Sequence, residues 1–409
     1  MFPERNAMRD QPLAAIAVSA AAIVLAAFSH TDAQPAGFDR VTVAAGLNQP
    51  TAFAFKGGKI LVAEKESGKV QFVRPDGTLR PTPYVTLSIS SQAERGVLGV
   101  AVDPDVATNG FVYVYYTTGP GALGYSGSPS NRVSRFTTAG GIGTAETVLL
   151  DNIPSDNGNH NGGDIQFGPD GYLYVAVGDG GTFHSDALTL DTLRGKILRV
   201  KPTNGKAPAE NPYRHAADAR RCAKPGVVPP GTGPCKEIYA YGLRNPFRLS
   251  VRQSNGSILI GDVGQSTWEE LDTLVPNGNY GWDVVEGPCL FRPSPTCVPS
   301  PLTYPSQYQY PIHFYNHAGA GEKGAAIMAG AFAENGTNYP APYAGAYFYG
   351  DFEAGWIHAL TMDAANRPTS PPLLFATLDA PVAFRNGSDG NIYVLSFNDG
   401  ALYKYTFTP

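Results

Sequence analysis

Six times along the chain, a turn pair leads into a short run dominated by Ile, Val, Leu and Tyr. The runs are GGKILVAE (57–64), NGFVYVYY (109–116), DGYLYVAV (170–177), NGSILIGD (255–262), GAYFYGDF (345–352) and DGNIYVLS (389–396). A second extended stretch follows each: KVQFVRP, RVSRFTT, KILRVKP, EELDTLV, WIHALTM and ALYKYTF. The alternation has period two rather than 3.6, which predicts strands. Asn-Gly, Asp-Gly and Gly-Gly supply the positive φ angles that tight hairpins need. Beyond the N-terminal segment, no stretch has a strong amphipathic helical period.

Six copies, each with room for about four short strands, predict an all-β, six-bladed β-propeller. A pair of β-sandwiches or a two-domain all-β chain is the competing arrangement, and the spacing of the repeats favours the propeller. The stretch near Arg40 to Ala44 is expected to close the ring by joining the last blade. Long insertions at 201–236 and 283–345 are expected to build one face of the disc, where function usually sits.

The N-terminus has a different pattern. Arg5 and Arg9 precede an apolar run, LAAIAVSAAAIVLAAF, and small or polar residues follow. This predicts a signal peptide over residues 1–33, with cleavage near Ser29 or Ala33 and the propeller over 34–409. A start at Met8 gives a cleaner leader. The alternative, an uncleaved anchor, is disfavoured because the run is just short of a spanning helix. The protein is therefore expected to be secreted or periplasmic, with no membrane span in its mature form.

Four cysteines fit that route. Cys222 and Cys235 bracket one Pro/Gly-rich loop and Cys289 and Cys297 another, so two local disulfides are expected among three possible pairings. No CxxC occurs, which argues against zinc and dithiol redox chemistry. A net charge of −5 argues against nucleic acid as a partner.

A propeller alone names no function. Four polar clusters carry the candidate chemistry. In Asn159-His160-Asn161-Gly162-Gly163-Asp164, a histidine at a strand entrance can take a proton from a substrate hydroxyl. In Arg244-Asn245-Pro246, a rigid donor pair suits an oxyanion or a carboxylate. The stretch from Asp262 through Gly264 and Gln265 to Glu269 and Glu270 offers carbonyls and carboxylates, the ligands of Ca²⁺. Glu94 and Arg95 are adjacent and expected to pair with each other. His313 and His317 lie in an extended stretch, so a helical metal face is not expected, though His317 can face a site from its loop. No GxSxG elbow is present.

ERGVLGVAVDP, HNGGDIQFGPDGYLYVAVGDGG, LRGKILRVKP, YGLRNPFRLS, GDVGQSTWEELDTL and NYGWDVVEG occur in this order. Together they resemble the soluble glucose/sorbosone dehydrogenase family, the pyrroloquinoline quinone (PQQ) sugar dehydrogenases. The resemblance runs from about residue 40 to the C-terminus. It implies a six-bladed propeller with PQQ on one face, a sugar substrate and a separate electron acceptor. By the same resemblance, His160 is the base, and Arg244 and Asn245 contact the quinone. The carbonyls of Gly264 and Gln265 hold a Ca²⁺, with the family's proline replaced. A structural Ca²⁺ falls near Glu270, Tyr280 and Glu286. Asn159, Glu94 and Glu353 join the cofactor-binding set.

The chain also departs from the family. Glu94 stands where the family has glutamine, and Glu353 where it has a lysine. Two family arginines before the last Asp-Gly turn are missing, with only Arg385 nearby. Two further readings follow from this loss of cations. One is a carbohydrate- or protein-binding propeller without PQQ. The other is a Ca²⁺-dependent lactonase-type hydrolase using Glu94, Asp262 and Glu353.

Overall fold

A computed structural model describes residues 34–181, 185–226, 231–291, 299–318, 322–334 and 337–409. The expected signal peptide lies outside these residues. Six four-stranded antiparallel sheets follow one another around an axis. Each predicted run is the second strand of a blade: Lys59–Glu64, Phe111–Thr117, Leu173–Val177, Ile258–Asp262, Tyr347–Asp351 and Ile392–Ser396. Each partner stretch is the third strand. Phe38–Ala44 pairs antiparallel with Ala401–Phe407, so the first strand completes blade 6 and closes the ring as expected.

The period-two pattern has a specific destination here. Successive side chains on a strand point to opposite faces of its sheet. In Lys59–Glu64, Leu61 and Ala63 pack toward blade 2 while Ile60 and Val62 pack toward blade 6. In Leu173–Val177, Leu173, Val175 and Val177 face blade 2, and Tyr174 and Ala176 face blade 4. Both faces of each blade are therefore apolar. Six buried clusters result, one at each blade-to-blade interface. This explains why the repeats read as nearly continuous apolar runs rather than as hydrophobic-in, polar-out strands.

The insertions fall between third and fourth strands. Residues 201–236 separate Lys196–Val200 from Ile238–Tyr241 in blade 3, and Cys222 is disulfide-bonded to Cys235 there. The region 283–345 is not one insertion. It contains the last strand of blade 4, His313–Asn316, and the first of blade 5, Ile327–Phe332. Cys297, half of the second expected disulfide, lies outside the described residues.

The first strands of the blades pack around the axis, where Arg248 acts as a plug. Its guanidinium is fully buried and donates to the carbonyls of Val382 (2.9 Å), Phe247 (2.9 Å), Leu98 (3.5 Å) and Thr51 (2.5 Å). These belong to the first strands of blades 6, 4, 2 and 1. One planar donor fork thus ties four blades together.

Candidate functional site

At the entrance end of the first strands, a cavity of about 470 Å³ opens on the axis. That is within the size range of small-molecule sites. Its floor is apolar: Leu98, Phe247, Met328 and Val382. Its wall brings together Glu94, His160, Arg244, Asn245, Gly264, Gln265 and Glu353, which come from well-separated segments of the chain. Lys65, not singled out in the sequence, and His317 complete the wall.

His160 is held from several sides. Its Nδ1 lies 2.7 Å from Asp179 Oδ1, and its Nε2 lies 2.9 Å from Arg244 Nη2. A guanidinium only donates, so Nε2 is an acceptor and Nδ1 carries the proton given to Asp179. This assigns the neutral tautomer with its unprotonated nitrogen toward Arg244. Asp179 is itself fixed by the indole N–H of Trp282 (2.8 Å) and the amide of Gly181 (2.8 Å).

The His160 backbone is in the left-handed region, φ 49°. That costs a non-glycine residue about 1–2 kcal/mol, and the surroundings hold it there. The His160 amide donates to Glu94 Oε2 at 2.6 Å. Asn245 Oδ1 accepts from the amide of Gly162 at 3.1 Å. Gly178 packs so closely that a Cβ there would lie 2.0 Å from the His160 carbonyl oxygen.

Arg244 and Asn245 enter blade 4 just before its first strand. Their amides donate to buried Asp262 at 2.9 and 2.7 Å. Burial pushes the Asp262 carboxyl up to about 7, against these hydrogen bonds. The Arg244 side chain donates to Val263 O (2.7 Å) and to Gln265 Oε1 from Nε (3.1 Å) and Nη2 (2.8 Å). Burial lowers its proton affinity, and Asp179, Asp262, Glu269 and Glu286 oppose that. It remains a cation at neutral pH.

Other expectations land elsewhere. Glu94 and Arg95 do not pair. Glu94 supports His160, while Arg95 donates to the carbonyls of Ser155 and Asp156, because the two side chains leave the turn in different directions. Arg385 is not near this cavity. It lines a second cavity at the opposite end of the axis and pairs with Asp164 at 3.1 Å. Asn159 is exposed at the rim, and Glu353 is an exposed lip residue. Glu286 Oε1 accepts the amides of residues 265–268 at 2.7–3.3 Å, shaping the loop that carries Gly264 and Gln265. The Tyr280 hydroxyl donates to Thr273 O at 2.8 Å.

Glu270 is buried on the third strand of blade 4, directly across from Asp262 and two residues from Asp272. Asp272 is 1% exposed and neither of its carboxyl oxygens has a hydrogen-bond partner. Burial first, then the neighbouring carboxylates, raise the proton affinities of Glu270 and Asp272. Among the described residues, no group of three or more His, Cys, Asp or Glu side chains stands as a ready-made metal cage.

His317 Nε2 lies 2.6 Å from Glu269 Oε1, and Glu269 also accepts the amides of Gly264 and Ile327. A few residues on, Glu322 receives His313 Nε2 (2.9 Å), His358 Nδ1 (2.8 Å) and the Tyr349 hydroxyl. Burial opposes its ionisation, but the hydrogen bonds of His313 and His358, the charge of His313 and the Tyr349 hydroxyl prevail and hold it at about 2. A depressed carboxyl stabilises the fold above its unfolded value of 4.5, and that contribution is lost as pH falls toward 2. Glu322→Gln is therefore expected to cost about 3 kcal/mol at pH 7. The gap from wild type, read from urea midpoints, should close as pH falls from 4.5 toward 2. A gap independent of pH would contradict this assignment.

The sequence profile of the Glucose / Sorbosone dehydrogenase family matches residues 47–404. HIPL1 protein of Arabidopsis thaliana is 28% identical over 362 residues, which cover 75% of this chain and 49% of the plant protein. The chain thus spans about half the length of that relative. Quinoprotein glucose dehydrogenase B of Acinetobacter calcoaceticus is 27% identical over 314 residues, covering 68% of this chain and 62% of that protein. A crystal structure described as an oxidoreductase (glucose dehydrogenase) of Thermus thermophilus shares 26% identity with a TM-score of 0.70. It covers 90% of this chain and 100% of that one. A profile match that runs from the first blade to the last gives the assignment: this chain belongs to the glucose/sorbosone dehydrogenase family.

Proposed function

We propose that the protein is an exported, PQQ-dependent sugar dehydrogenase that oxidises an aldose hydroxyl and passes the electrons to a separate acceptor. The observation that carries this is His160, oriented by Asp179 in the wall of an axial cavity, with an unprotonated Nε2 that accepts from Arg244. The substrate hydroxyl loses a proton from oxygen and a hydride from carbon. Once the Arg244 N–H now bonded to Nε2 turns to the substrate oxygen, His160 Nε2 takes the proton, and the Asp179 carboxylate stabilises the imidazolium that results. Arg244 faces the position where negative charge develops and lowers its energy. The apolar floor limits water. PQQ, when bound, supplies the hydride acceptor.

Ca²⁺ belongs to the same proposal. Gly264 and Gln265 line the cavity, and their backbone carbonyls are the candidate ligands for the ion beside the quinone. A second ion is proposed near Glu270, with Asp272 as an added ligand, because Asp272 is a buried carboxylate without a partner. A hard cation there relieves the repulsion among these acids. Chelation with EDTA is expected to lower the unfolding midpoint by the equivalent of about 3 kcal/mol for Ca²⁺ at a hundredfold excess over Kd. Added Ca²⁺ should restore it. A midpoint indifferent to EDTA would remove both ions from the proposal.

Glu94 and Glu353 favour one rival reading, a propeller that binds a neutral carbohydrate and no quinone. Carboxylates accept hydrogen bonds from sugar hydroxyls but repel the carboxylates of PQQ. One experiment separates the two. The mature protein is incubated with PQQ and Ca²⁺, bound quinone is followed by absorbance, and dye reduction is assayed over a panel of aldoses. No quinone bound at micromolar protein excludes the dehydrogenase. Sugar binding under those conditions selects the rival.

A further inference from the structure

The cavity has to attract a ligand carrying three carboxylates although two acids stand in its wall. Arg244 is poorly placed to provide that attraction alone. Four of its five N–H groups already point at Val263 O, Gln265 Oε1 and His160 Nε2, which leaves one for a ligand. Among the described lining residues, Lys65 is the one other lysine or arginine. It leaves blade 1 just after Lys59–Glu64 and enters the cavity from the side opposite Arg244's blade. Its side chain is 14% exposed, so its charge is only partly screened by water. Its ammonium has one long hydrogen bond, 3.3 Å to Ser91 O, and a loose ion pair at 3.6 Å with exposed Glu66. An ammonium carries three donors, so two remain available.

From this donor inventory we infer that Lys65 is the residue that receives a carboxylate of the anionic cofactor, replacing in this chain the cations missing from blades 5 and 6. The inference rests on the quinone reading above and adds the orientation: one carboxylate edge of the ligand faces blade 1. Glu94 keeps its charge, but its Oε2 is held on the His160 amide, which fixes the carboxylate at the blade 3 wall. Charge-assisted contacts of this kind are about twice as strong as neutral ones.

The test is a titration of PQQ, in Ca²⁺ buffer, into wild type, Lys65→Met, Lys65→Gln and Lys65→Arg, followed by quenching of tryptophan fluorescence. Kd is expected to rise about tenfold or more in the Met and Gln variants. Arg should recover most of the affinity. The loss should shrink as salt is raised, since it is a charge effect. Circular dichroism controls for folding, and two neutral variants guard against one failing to fold. Wild type that binds PQQ while both neutral variants bind within about twofold of it overturns the role of Lys65 alone. Wild type that binds no PQQ overturns the dehydrogenase reading and this inference with it.

Discussion

Replacing His160 with alanine is expected to lower aldose oxidation by the PQQ- and Ca²⁺-loaded protein about 10³-fold, with PQQ affinity nearly unchanged. The expectation follows from the tautomer. Arg244 donates to Nε2 and Asp179 accepts from Nδ1, so Nε2 is unprotonated and becomes a proton acceptor when Arg244 turns to the substrate. Alanine removes the acceptor without removing a ligand to the cofactor. Asp179→Asn is the companion test. An asparagine can donate its amide to Nδ1, which drives the ring proton to Nε2 and blocks uptake there. A large fall in kcat with little change in KM is expected, because the substrate contacts remain. Stopped-flow mixing of loaded protein with sugar reads the reductive step directly. If His160→Ala keeps its turnover, the histidine is not the proton acceptor.

The second large effect is on stability. Arg248→Met is expected to destabilise the propeller by about 3–5 kcal/mol, because several buried carbonyls lose their donor at about 1–3 kcal/mol each. The reason is the four carbonyls that depend on it. Thr51, Leu98, Phe247 and Val382 sit on the axis in four blades, and no methionine atom donates to them. Burial lowers the guanidinium to about 10, with Asp164 opposing, so it stays charged at neutral pH. Arg248→Lys should recover only part of the loss, since one ammonium cannot reach four directions in the plane of a fork. Denaturant midpoints with an unchanged slope measure the effect. A midpoint equal to wild type would show that water bridges the carbonyls equally well.

The opposite placement of Val382 and Arg385 shows where sequence reasoning meets its limit. Both lie on Pro381–Asn386, the first strand of blade 6. Val382 lines the candidate site and Arg385 lines the other mouth. Three residues of strand span about 10 Å, which is enough to carry a side chain from one end of the axis to the other. Proximity in sequence to a motif therefore says little about which mouth a residue serves. Glu94 and Arg95 teach the same lesson over a single peptide bond. The converse case is Lys65 and Asp179: Lys65 sits outside every quoted motif, Asp179 in the GDGG that closes one of them. Asp179 meets His160 across the first hairpin of blade 3, whereas Lys65 reaches the same cavity only because blades 1 and 3 share an axis.

By itself, the sequence determined the blades. Strand periodicity and hairpin turns are local properties, and six nearly continuous apolar strand repeats leave two apolar faces per sheet to cover, which a closed ring of blades does. It also marked out the candidate groups, His160, Arg244 and the Gly264–Gln265 step, because each sits in a loop next to a strand end beside residues with restricted backbones. Tertiary structure decided how these groups work. It set the tautomer of His160 through Asp179 and Arg244, left Asp272 buried without a partner, and brought Lys65 into the cavity. Those outcomes depend on distances set by strand pairing within a blade for Asp179 and Asp272 and by the packing of blades around the axis for Arg244 and Lys65, and on the low dielectric in which their charges then meet.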